Sequence, residues 1–169
     1  MVNILFVCSA NRFRSVIAAE YLRSLIKDDP EAKRWHVSSA GIWTKNGLPP
    51  LSQARRFAES QGMNIDQVQS REISKEILHA ATLIIVMTGS QKEALEIEFP
   101  GITKSVLLLS EICEGQVYDI PDPIEEFEES PEGIGTEICS LLYNDLNRFK
   151  RIVNERNRRD YFLARKSEE

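Results

Sequence analysis

A chain of 169 residues is long enough for one domain with a sizeable core. Its 42% hydrophobic and 28% charged content is that of a globular fold and excludes a disordered or collagen-like protein. The formal net charge of −5 argues against nonspecific nucleic-acid binding as the main activity, although a local basic site remains compatible with it.

Val2 to Val7 (VNILFV) is a short apolar run rich in β-formers and is expected to be a strand buried on both faces. From Ser15 to about Lys27, Ala18, Leu22, Leu25 and Ile26 recur at steps of three and four, which predicts an amphipathic helix. Trp35 to Gly41 (WHVSSAG) is a second strand running into a turn. Pro49 and Pro50 introduce a helix from about Leu51 to a stop at Gly62, and Ser74 caps a short helix ending near Ala80. Thr82 to Met87 (TLIIVM) is a third buried strand, followed by a helix from about Ser90 to Phe99 and a fourth strand over Ser105 to Leu109. Cys139, Leu142, Leu146, Phe149 and Val153 form one apolar stripe, predicting a single long helix that starts between Ser130 and Thr136. The closing YFLARKSEE is expected to be an extension or a frayed tail.

Strands separated by helices predict an α/β fold of three layers, α/β/α, around a central four-stranded parallel sheet with right-handed crossovers. Ligands of such sheets gather outside the carboxyl ends of the strands, and Cys8 stands at one of these ends. No run approaches the roughly 18 apolar residues of a membrane span. The start, MVNILFVCSANRFRS, lacks the basic n-region and cleavage site of a secretory signal. Cys8, Cys113 and Cys139 read as reduced thiols, and His36 and His79 are far apart, so a cytoplasmic protein without a metal is expected.

The stretch VCSANRFRSVIAAE leads from the first strand into the first helix. A loop of this kind directs backbone N–H groups into one concavity, and the helix start adds the positive end of its dipole, a setting that holds a tetrahedral oxyanion. Arg14 adds a planar fork of donors for two oxygens. The same field favours thiolate at Cys8, so one arrangement binds the anion and makes the nucleophile beside it. Asn11 tolerates left-handed backbone angles and can lock the loop. Ser15 can cap the helix and donate to the Cys8 sulfur, making it a better leaving group. The alternative is a buried cysteine at a strand end with Arg14 turned to solvent.

Cysteine, five residues, arginine and serine after an N-terminal strand resemble the low-molecular-weight protein tyrosine phosphatases. The resemblance extends through SSAGIW, PPLSQARRFAESQGMNI, QSREIS, VMTGSQ and YDIPDPIEE, and so covers residues 1–158 as a phosphatase-like domain, with 159–169 as the extension or tail. It implies that Cys8 attacks phosphorus to give a cysteinyl-phosphate, while Arg14 and the N–H groups of the loop Ser9, Ala10, Asn11, Arg12 and Phe13 hold the equatorial oxygens. Asp122, of the Asp-Pro dipeptide, would protonate the leaving oxygen and then activate water. Ser39 would bond Asn11 and brace the loop. The implied activity is a metal- and cofactor-free cysteine-dependent phosphomonoester hydrolase of the protein-tyrosine type. It would act on phosphorylated protein or a small phosphomonoester, bind phosphate, sulfate and vanadate, and have no nucleic-acid or membrane partner. A monomer or weak dimer is expected.

Several positions depart from the family pattern. Phe13 stands where relatives often carry a second loop cysteine, so no protective disulfide within the loop is expected. Ala10 replaces a glycine, and Arg12 occupies a position that bears on substrate choice, either as a cation at the pocket rim or as a solvated arginine. Ile124, Glu125 and Glu126 follow Asp122-Pro123 where phosphotyrosine enzymes often have aromatic residues, with Phe127 the nearest ring. The run Glu125, Glu126, Glu128 and Glu129 is either a solvated rim or a selector for basic flanks. Thr88 stands where the family has aspartate, and the region near Val68 lacks a histidine of some relatives. Cys139 is assigned to the core and Cys113 to the loop before Asp122. The competing functions are a phosphoarginine phosphatase, which carries threonine at the position of Arg12, an arsenate reductase, which needs two further cysteines close together mid-chain, and a non-catalytic phosphate-binding module.

Overall fold

The computed structural model describes residues 1–102, 106–123 and 130–166, with side chains to 159. Ile124 to Glu129, including the glutamate run and Phe127, lie outside the described residues. Four parallel strands form one sheet in the order β2-β1-β3-β4, with β1 Val2–Cys8, β2 Trp35–Gly41, β3 Leu83–Val86 and β4 Val106–Leu108. Side chains alternate across β1. Ile4, Phe6 and Cys8 join the core formed with the first and last helices, whereas Leu5 and Val7 join the core on the opposite face. Burial on both faces is why these strands read as unbroken apolar runs rather than as alternating ones.

The helices are α1 Arg14–Ile26, α2 Ser52–Ser60, α3 Lys75–Ala80, α4 Gly89–Glu98, α5 Leu109–Glu114, α6 Pro131–Asn144 and α7 Leu146–Lys166. Ser74 caps α3 by accepting from the N–H of Ile77 at 3.3 Å, as its sequence position predicts. Ser15 does not cap α1. The N-cap is Phe13, with no side-chain cap bond, and Ser15 lies within the first turn with its hydroxyl turned to the loop. Helix α5 is absent from the sequence reading because its six residues carry too little periodicity to stand out; Gly115, at φ 77°, ends it in the left-handed conformation. Cys113 therefore lies in a helix and is fully buried, not in the loop before Asp122.

The long C-terminal helix predicted from one stripe is two helices that break at Asp145 (φ −109°, ψ 19°). Cys139, Leu142, Phe149 and Val153 are buried in the same core across the break. Spacing of three and four determines which face is buried, and a change of axis at one residue leaves that face continuous. The backbone remains helical to Lys166, so 159–166 continues α7. Among the described residues no helix is long and apolar enough to cross a membrane.

Gly135 of α6 lies against α2: an added Cβ would fall 2.7 Å from the Phe57 ring. Alanine there would gain about 0.5–1 kcal/mol of helix propensity and lose about 1–3 kcal/mol to overpacking. Gly135→Ala is therefore expected to lower the urea midpoint of unfolding; a midpoint at or above that of the parent protein would show that α2 and α6 separate without cost.

Candidate active site

Strand β1 ends at Cys8, and the chain turns through residues 9–13 into α1. The close of this turn depends on Asn11, the one described non-glycine residue with positive φ, at 52°. An asparagine accepts that conformation more readily than most side chains. Its own side chain then holds the loop. The Oδ1 accepts the backbone N–H of Arg71 at 2.8 Å, which leaves the amide Nδ2 to donate to Ser15 Oγ at 2.9 Å. The Ser15 hydroxyl in turn lies 3.1 Å from the Cys8 sulfur, within hydrogen-bond distance. The backbone N–H of Asn11 donates to the sulfur, at 3.3 Å. Cys8 is 2% exposed, and its sulfur has the Asn11 N–H and the Ser15 hydroxyl as hydrogen-bond partners.

Strand β2 supports the loop from outside. The N–H groups of Ile42 and Trp43 donate to the carbonyls of Cys8 and Ser9 at 3.0 and 2.9 Å. This approach requires Gly41, where a Cβ would lie 2.9 Å from the Ser9 carbonyl oxygen. Gly41 also exchanges bonds with Arg71 and Ile73, which brings the Arg71 N–H to Asn11. Ser39 is half-buried on β2 opposite Phe6 and makes no bond to Asn11 among the described residues; the backbone of Arg71 and Ser15 provide the bracing instead.

Arg14 is 3% exposed. Its Nη1 donates to the Ile120 carbonyl at 3.0 Å, and its Nη2 donates to Ser9 Oγ at 3.3 Å and to Asp122 Oδ2 at 2.5 Å. The sequence separation in the last pair is 108 residues. The segment carrying Asp122 is fixed from several sides. Ile120 N–H bonds the Met87 carbonyl at 2.9 Å, Asp119 Oδ1 accepts the N–H of Gly89 at 2.7 Å, and Ser110 Oγ donates to the Tyr118 carbonyl at 2.7 Å. Thr88 caps α4, accepting from Gln91 N–H at 3.2 Å, and Asp119 supplies the carboxylate at this turn. Buried Gln91 donates to Ser9 Oγ at 3.1 Å and accepts from Met87 N–H at 2.9 Å.

Arg12 is half-buried, with its Nε on the Pro49 carbonyl at 2.8 Å and its own carbonyl accepting from Leu51 N–H. With Ala10, Trp43, Lys45 and Leu48 it lines an open cleft of about 690 Å³ beside the loop. Phe13 is a core residue. The sequence reading did not identify Gln91, Asp119, the Ile120 carbonyl, the Arg71 N–H or Trp43. Gln91 and Trp43 stood inside stretches already recognised as family-like, VMTGSQ and SSAGIW, whereas backbone donors and acceptors carry no sequence signal.

A buried sulfur with hydrogen-bonding partners, beside a buried guanidinium that also holds a carboxylate, is an arrangement suited to in-line transfer of an oxyanion. The family model described as low molecular weight phosphotyrosine protein phosphatase matches residues 3–158. A probable low molecular weight protein-tyrosine-phosphatase EpsP of Ralstonia nicotianae is 33% identical over 136 residues, 78% of this chain and 88% of that protein. The YwlE arginine phosphatase from Geobacillus stearothermophilus superimposes with a TM-score of 0.78 at 26% identity, covering 92% of this chain and 94% of that one. A low molecular weight protein tyrosine phosphatase from T. tengcongensis also gives 0.78, at 25% identity over 88% of this chain and 99% of the other. This chain belongs to the low molecular weight phosphotyrosine protein phosphatase family and is a cysteine-based phosphatase.

Burial pushes the Cys113 and Cys139 thiols up to about 12. At pH 8 their thiolate fraction is then on the order of 10⁻⁴. Iodoacetamide at that pH is expected to leave both unmodified in the native protein and to label both after unfolding; native labelling at either position, read by mass spectrometry, would contradict the burial. Asn11→Ala removes two side-chain bonds and places alanine at positive φ, with an expected loss of about 2–4 kcal/mol in chemical denaturation.

Proposed function

We propose that the chain hydrolyses phosphotyrosine in protein substrates, with Cys8 as nucleophile, Arg14 and the loop N–H groups as the oxyanion clamp, and Asp122 as general acid and then base. The observation that carries this reading is the 2.5 Å contact between Arg14 and Asp122, which brings an acid group from the far end of the chain to the cysteine loop. A phosphoryl group competes with the Asp122 carboxylate for Nη2 of Arg14 and, on taking the fork, releases Asp122, which takes up a proton from solvent and faces the leaving oxygen as the neutral acid. The sulfur attacks phosphorus and the phenolic oxygen departs with the proton of Asp122. Water, activated by the resulting carboxylate, then cleaves the cysteinyl-phosphate. In that second step the Ser15 hydroxyl and the Asn11 N–H stabilise the departing thiolate.

Phosphotyrosine is favoured over phosphoarginine because the cleft beside the loop is lined by an exposed Trp43 and by Arg12, where a phosphoarginine enzyme carries threonine. A redox relay to arsenate is disfavoured: the two remaining thiols are buried and held in the neutral form.

Hydrolysis of para-nitrophenyl phosphate tests the mechanism. Cys8→Ser should lose turnover and retain oxyanion binding. Asp122→Ala should fall about 10²–10⁴-fold in kcat, with phosphate inhibiting more tightly once the competing carboxylate is gone. Equal rates in the parent protein and both variants would overturn these assignments. Faster release of phosphate from phosphoarginine than from phosphotyrosine peptides would reverse the substrate assignment and leave the chemistry standing.

A further inference from the structure

At the edge of the sheet beyond β4, α5 and α7 enclose a cleft of about 500 Å³, apart from the residues of the catalytic loop. Leu107 and Ile152 give it an apolar floor, and Arg148, Arg156 and Arg159 line it from α7. These positions follow one another at helical spacing, so they share one face of the helix.

Arg148 is the distinctive residue. Its Nε is the one buried side-chain nitrogen or oxygen among the described residues without a hydrogen-bond partner. A buried donor on a charged group is costly to leave unpaired, and such a group calls for a ligand, ion or water. The guanidinium is also held in place: it packs on Gly115, where a Cβ would fall 2.9 Å from Nη2. The carboxylates of the cleft have other partners. Glu111 accepts the N–H of Leu108 at 3.2 Å and lies 3.8 Å from Lys92, and Glu155 pairs with Arg151 at 3.4 Å. In a chain of net charge −5, the cleft thus gathers more arginines than carboxylates along its wall, with Arg148 and Arg159 offering forks whose geometry matches an oxyanion.

We propose that this cleft is a second anion site, binding a tetrahedral oxyanion, either free or carried on a small apolar body that rests on Leu107 and Ile152. The proposal is independent of the residues assigned to catalysis.

The test is a ¹⁵N–¹H titration of the full chain carrying Cys8→Ser, with sodium sulfate as the free oxyanion and phenylphosphonate as the same group on an apolar body that cannot be hydrolysed. The Nε–H resonance of Arg148 is assigned by its loss in Arg148→Lys. Both probes are expected to shift that resonance and the Gly115 amide saturably. The midpoint should be unchanged by Arg14→Ala and raised at least tenfold by Arg159→Gln, a substitution at an exposed position that does not depend on refolding the cleft. A phenylphosphonate midpoint well below that of sulfate identifies an organic ligand, and equal midpoints identify the free ion. An Arg148 Nε–H that neither probe moves, while residues 8–15 respond, would overturn the proposal, as would a shift indifferent to Arg159→Gln.

Discussion

The guanidinium of Arg14 lies where separate stretches of the chain meet. It holds the Ile120 carbonyl, the Ser9 hydroxyl and the Asp122 carboxylate, and it is itself almost wholly buried. A buried cation is tolerated only when its donors are satisfied. The loop and the segment 118–122 are therefore bound into one arrangement by the need to satisfy it, and the end of β3 joins them through the Ile120–Met87 backbone bond. The proposed grip on a phosphoryl oxygen and the placement of the Asp122 carboxylate thus depend on the same group.

The sulfur is held by a different device. The backbone of Arg71 orients Asn11, Asn11 donates to Ser15, and the Ser15 hydroxyl lies in hydrogen-bond contact with Cys8. A backbone N–H some distance from the sulfur thus fixes which way the Asn11 amide faces and so brings its Nδ2 to Ser15. Because Asn11 alone carries the positive φ of the turn and two of these bonds, conformation and polarity are bound together at one residue.

The positions at which this chain departs from its family are compensated locally. Thr88 in place of aspartate still caps α4, and Asp119 supplies the carboxylate from another segment. Gln91 joins that turn to Ser9 and so to Arg14. Phe13, where relatives often carry a second loop cysteine, fills the core.

The strand that ends at Cys8, the order of strands and helices, the cysteine–arginine–serine spacing and the Asp122-Pro123 dipeptide were all legible in the sequence. They are local: a run of apolar residues, a periodicity or a motif is written within a few consecutive positions. The break at Asp145, the short α5 and the partners of Asn11 were not legible. A stripe of apolar residues specifies a buried face but not an axis, and a backbone N–H such as that of Arg71 looks the same at every residue. Only the folded sheet, with Gly41 admitting close approach of β2 to the loop and β3 carrying Met87 to the 118–122 segment, decides which of these groups meet.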